Sequence, residues 1–127
     1  AGLVGDRSIF AHGVQLTEAE FQRLSEAGSA IAYCPTSNLF LGSGLFNLER
    51  VKSPSSPIKL GLATDVGGGT SFSMFQTAGA AYKIAQLRQQ KLTSFQAMYL
   101  STLGGARALS LEDQLGNFEP GKEADFI

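Results

Sequence analysis

Three apolar runs in this chain each end on a side chain able to do chemistry. Ser8–His12 (SIFAH) ends on an imidazole, and Ala30–Cys34 (AIAYC) ends on a thiol followed closely by Ser37 and Asn38. Ile58–Thr64 (IKLGLAT) is followed by the Asp65 carboxylate. An imidazole can pass a proton or stabilise a developing charge, and a carboxylate can accept a proton or bind a cation. Plainer readings exist for the same residues. His12 can be a structural histidine at a strand end, and Asp65 a turn former before Gly67-Gly68-Gly69. Cys34 before Pro35 reads as a small buried hydrophobe. The glycine run lacks the spacing of a phosphate-binding loop and reads as a flexible turn.

These residues converge only if the elements carrying them lie side by side. The three runs are apolar, short and bounded by turn formers, as buried strands are. Between the first two, Thr17-Glu18-Ala19-Glu20 predicts a capping box opening a helix that stops near Gly28. Pro35–Gly44 reads as a loop rich in turn formers, Leu45–Val51 as a short helix, and Ser53–Pro57 as a solvated connection. A long helix is expected over roughly Ser73–Gln90, with Met74, Phe75, Ala78, Ala81, Tyr82, Ala85 and Leu87 packing into the core. Thr93-Ser94-Phe95-Gln96 is a second capping box, predicting one helix to about Ala108 with Gly104-Gly105 inside. Strands alternating with helices imply a parallel sheet with right-handed crossovers. Polar groups at the C-terminal ends of such strands share one rim.

Composition narrows the function classes. With 127 residues, 43% hydrophobic and 17% charged, the chain can bury one ordinary core. That length is about half of the ~250 residues an eight-stranded β/α barrel requires. Ten basic against eleven acidic residues give a net charge of −1, without the clustered Lys/Arg of a nucleic-acid surface. One cysteine precludes an internal disulfide and points to the reducing cytoplasm, and no apolar run reaches membrane-spanning length. One His and one Cys are too few to complete a zinc site, which takes three or four ligands. The H-x-E…P-C-x-x-C signature of cytidine-type deaminases is missing. Both ends read as cut: Ala1 is not Met, and Ala124–Ile127 enters an apolar run and stops.

Phe10-Ala11-His12-Gly13 and the capped helix after it resemble the sixth-strand region of the amidohydrolase superfamily. Cys34-Pro35-Thr36-Ser37-Asn38-Leu39-Phe40-Leu41-Gly42-Ser43-Gly44 is similar to the seventh-strand loop of its aminohydrolase branch. Gly61-Leu62-Ala63-Thr64-Asp65-Val66-Gly67-Gly68-Gly69-Thr70-Ser71-Phe72-Ser73-Met74 resembles the eighth-strand motif in the form found among guanine deaminases. Thr102–Ala106 and Gly116–Asp125 are similar to the closing helix and the return into a small β domain. The likeness runs in order along nearly the whole chain.

The resemblance implies an α/β fold: the C-terminal part of a (β/α)8 TIM barrel, truncated, with about three parallel strands and flanking helices. Residues 1–112 would be partial barrel, and 113–127 the start of the return into a small β-sandwich. It implies zinc-dependent hydrolytic deamination of guanine to xanthine and ammonia by the complete enzyme. Asp65 would bind the metal and accept the proton of water. His12 would contact the substrate and the attacking water, and Asn38 the substrate. The family's strand-one and strand-five histidines and its strand-five glutamate fall upstream of Ala1, so this chain is expected to bind no Zn²⁺ by itself and to be inactive alone. The alternatives are an aminohydrolase acting on another amino-purine or amino-azine, a non-catalytic oligomerising partial domain, and a doubly wound nucleotide-binding domain. Unpaired strand edges at Ser8–His12 and Ile58–Thr64 predict a homo-oligomer.

Overall fold

In the computed structural model, which describes residues 2–53, 55 and 57–125, the three apolar runs form one sheet. Strands β1 (Ile9–Ala11), β2 (Ala30–Tyr33) and β3 (Lys59–Leu62) are parallel and ordered β1-β2-β3, with Ile31 opposite Phe10 on one side and Leu60 on the other. Each strand is shorter than its apolar run, and beyond the ends of β1 and β3 the chain turns at His12 and Asp65, with φ of 69° and 47°.

The first crossover is helix α1 (Glu18–Glu26), and its capping box is present. Thr17 accepts from the Glu20 amide while the Glu20 carboxylate accepts from the Thr17 amide at 2.8 Å. Those bonds to Thr17 hold the Glu20 carboxyl below its ordinary range. Gly28, with φ 70°, follows the helix in the left-handed conformation its C-terminus needs. Phe21 and Leu24 are the buried residues of α1 and join Ile31, Tyr33, Leu60 and Leu62 in the core.

Pro35–Phe40 is a helix, α2, rather than the expected loop. Proline suits the first helical turn, where its missing N–H has no partner to lose. The turn-forming residues that suggested a loop instead line a buried face, at Thr36, Ser37 and Asn38. Helix α3 (Leu48–Val51) is shorter than expected and begins at Asn47, whose side chain accepts from the Arg50 amide. Of the connection that follows it, residues 54 and 56 lie outside the described residues.

Helix α4 (Met74–Leu87) is capped by Ser73 and lies within the predicted span, but its buried face is narrower than the sequence pattern suggested. Thr77, Ala81, Ile84 and Ala85 are buried, while Phe75, Tyr82 and Leu87 are exposed. The single helix expected after Thr93 is two, α5 (Ser94–Ser101) and α6 (Leu103–Ala108), which meet at Thr102 with φ −129° and ψ −100°. Its capping box is present, and the break lets α6 close on β3. A Cβ on Gly61 would stand 3.0 Å from the Gly105 Cα, and one on Gly104 3.1 Å from the Leu60 carbonyl oxygen. That approach is possible only between glycines. Residues 111–125 are turns and coil, including Ala124 and Asp125, where a strand was expected to begin; residues 126 and 127 lie outside the described residues.

Candidate functional site

Each strand end delivers one reactive side chain to the same rim. His12 still donates its backbone N–H to the Ala32 carbonyl at 2.9 Å, so the ladder holds it up to the point where its left-handed backbone turns away. Asp65 turns in the same way two residues after the Ala63 amide bonds Tyr33 O. Left-handed φ is uncommon outside glycine, and His and Asp are among the residues that adopt it. The turns bring His12 Nε2 to 3.8 Å from Asp65 Oδ2, with both side chains about two-fifths exposed.

The first turn of α2 binds both strand ends from behind. Thr36 Oγ1 donates to the Thr64 carbonyl at 3.4 Å, next to Asp65. Asn38, 1% exposed, places Oδ1 2.8 Å from His12 Nδ1. Ser37 Oγ is fully buried and has no hydrogen-bond partner among the described residues. The glycine run closes the other side. A Cβ on Gly68 would lie 2.8 Å from Ser37 Oγ and 3.2 Å from Asp65 Oδ2, and one on Gly69 would collide with the Thr64 carbonyl. These glycines are therefore required by close packing around Asp65, a role the flexible-turn reading missed. The run Gly67-Gly68-Gly69 starting two residues after Asp65 was the available signal.

Cys34 completes the group. One donor atom from each of His12, Cys34 and Asp65 lies within 4.8 Å of the other two. Their electrostatic states differ. Burial raises the Cys34 thiol above its ordinary value, a backbone hydrogen bond from His12 opposes this, and the Asp65 charge adds to the rise. The thiol also donates to Ala32 O at 3.3 Å. Cys34 is thus a protonated, engaged thiol, in keeping with the buried-hydrophobe reading. The Asp65 carboxylate accepts no side-chain hydrogen bond among the described residues, which leaves its oxygens open to a cation or a water. Of the residues predicted from sequence, His12, Asn38 and Asp65 are brought together.

A metal is tested by these donors. Asp65 fits one coordination position, and His12 Nε2 is the other open donor, because His12 Nδ1 is taken by Asn38 and Cys34 holds its proton. A zinc centre takes three or four ligands, so the described residues supply part of a site.

Known proteins share this fold and much of this sequence. The chain is 56% identical over 126 residues to guanine deaminase of Escherichia coli, an alignment covering 99% of this chain and 28% of that protein. Against the solved structure of E. coli guanine deaminase the TM-score is 0.93 at 55% identity, over 98% of this chain and 29% of that one. A structure described as an adenosine deaminase from Xanthomonas campestris with bound zinc superposes with a TM-score of 0.85 at 35% identity, over 98% of this chain and 29% of that one. The chain thus spans under a third of the length of the relatives it matches. Its three parallel strands and flanking helices correspond to part of their TIM barrel. The family model of the amidohydrolase family matches residues 1–127, and the chain belongs to that family.

Proposed function

We propose that this chain forms one wall of the active site of a barrel enzyme that hydrolyses guanine to xanthine and ammonia. The observation that carries the reading is the 56% identity to E. coli guanine deaminase over nearly the whole chain. His12 and Asp65 facing each other at the rim, 3.8 Å apart, support it. Water adds to the amino-bearing ring carbon; one proton of that water passes to the Asp65 carboxylate and on to the amino group, which leaves as ammonia, and the other passes from the new hydroxyl to a ring nitrogen, leaving the carbonyl of xanthine. His12, held at the rim, contacts the guanine ring and the incoming water. Zn²⁺, when bound, supplies Lewis-acid assistance to the water, and Asp65 is the residue of this chain that holds it.

The remaining ligands belong to the part of the barrel outside this chain, so the 127 residues alone are inactive. Residues 113 onward lead toward a small β domain, and the location is cytoplasmic. Among the described residues both outer strands of the sheet have an unpaired edge, β1 with Ile9 40% exposed, and in isolation the chain associates with further copies of itself through them. The test is xanthine and ammonia formation from guanine by the full-length protein containing this segment, with its zinc content measured. Turnover of a different amino-purine or amino-azine, with guanine untouched, overturns the substrate assignment.

A further inference from the structure

Asn38 stands in an expensive place. It lies within a short helix, where asparagine is a poor former, and it is 1% exposed. Its Nδ2 is buried with no hydrogen-bond partner among the described residues, a loss that packing alone does not repay. The one side-chain bond it makes is Oδ1 to His12 Nδ1 at 2.8 Å. A carbonyl oxygen only accepts, so the proton of that bond sits on Nδ1, and the neutral ring then carries its lone pair on Nε2. Nε2 is 3.8 Å from Asp65 Oδ2, too far for a hydrogen bond, and so it stays open toward the rim.

We infer that Asn38 is a positioning residue that holds the His12 ring in the Nδ1–H form and aims the unprotonated Nε2 at the space beside Asp65. This replaces the substrate contact expected for Asn38, because a side chain buried behind His12 with its oxygen occupied has no route to a ligand. For what His12 does with its aimed nitrogen, the inference rests on the deamination proposed above. Free imidazole favours the proton on Nε2, so without Asn38 the ring would revert and present a donor instead of an acceptor. Thr36, two residues before Asn38 on the same helical turn, ties that turn to the third strand end through Oγ1 and the Thr64 carbonyl.

His12 is the single histidine of the chain, so ¹⁵N-imidazole labelling yields one ring's signals. The expected wild-type spectrum is a protonated Nδ1 and an unprotonated Nε2. Asn38→Asp keeps an acceptor oxygen and keeps that pattern; Asn38→Leu, branched alike at Cγ but without an acceptor, moves the proton to Nε2. In the full-length enzyme Asn38→Leu lowers kcat by about 10–100-fold with KM nearly unchanged, and Asn38→Asp restores most of it. A wild-type ring protonated on Nε2 overturns the inference, as that is the pattern of the reversed amide. So does a Leu variant that keeps the Nδ1–H signature. The tautomer needs no guanine to be read, so an enzyme inert on guanine with the Nδ1–H pattern intact refutes the proposed reaction and leaves the role of Asn38 standing.

Discussion

Tyr33 offers a quantitative check of the packing behind the site. Its side chain is wholly buried, its ring stacks on Phe46 with centroids 4.4 Å apart, and its hydroxyl has no partner among the described residues. Removing only that hydroxyl keeps the stack and deletes an unmet polar group, whose burial costs about 1–3 kcal/mol. Tyr33→Phe is therefore expected to stabilise the fold by ~1 kcal/mol near neutral pH. With a urea m-value of about 1.5 kcal/mol/M, the midpoint rises by ~0.7 M. A second signature is alkaline. Burial raises the Tyr33 pKa well above the unfolded value near 10, so above that pH the unfolded chain releases a proton that the folded chain retains. Stability present below pH 10 is then lost as pH rises, at a limiting slope of about 1.4 kcal/mol per pH unit for this one group. Cys34, also raised by burial, contributes in the same direction from near its own unfolded value of 9.0. Urea melts from pH 7 to 11 should show a steeper alkaline loss in wild type than in Tyr33→Phe, and the shallowest in Tyr33→Phe/Cys34→Ser. A Tyr33→Phe variant less stable than wild type at pH 7, or with an unchanged alkaline slope, refutes the reasoning.

Gly61→Ala drives a methyl to 3.0 Å from the Gly105 Cα and should cost about 1–3 kcal/mol of stability, read from denaturant midpoints; a neutral result would mean α6 does not close on β3 as described. Asp65→Asn keeps shape and removes the charge, so the full-length enzyme should lose its turnover and most of its bound zinc while its far-UV circular dichroism stays that of the folded wild type. Losing neither excludes Asp65 from the reaction. Light scattering on the isolated 127-residue chain should report a mass above 13.4 kDa that rises with concentration, and a constant monomer mass at high concentration argues against association through the open strand edges.

The elements that were legible in the sequence are those specified by local chemistry. Thr17…Glu20 and Thr93…Gln96 predict helix starts because the bonds they make are three residues apart, and both capping boxes are present. The apolar runs predicted three parallel strands because a strand buried between neighbours needs no polar alternation. The misreadings concern what surrounds an element. Pro35–Phe40 looked like a loop because its Thr, Ser and Asn are turn formers in isolation, yet they are the buried polar face that holds the strand ends. The helix at Gly104-Gly105 was drawn continuous because nothing local announces that it must bend to meet Gly61. Phe75, Tyr82 and Leu87 read as core from spacing alone, which cannot tell which side of a helix has a neighbour.

By itself the sequence determined the three parallel strands, the two capping boxes, and the placement of His12, Asn38 and Asp65 beyond strand ends. Only the tertiary structure decided what those residues do to one another. Left-handed backbone at His12 and Asp65 brings an imidazole and a carboxylate to 3.8 Å, and glycines 68 and 69 make room around Asp65. The bond from Asn38 to His12 has the same origin: hydrogen-bond partners and burial are properties of positions in space, which spacing along a chain does not encode.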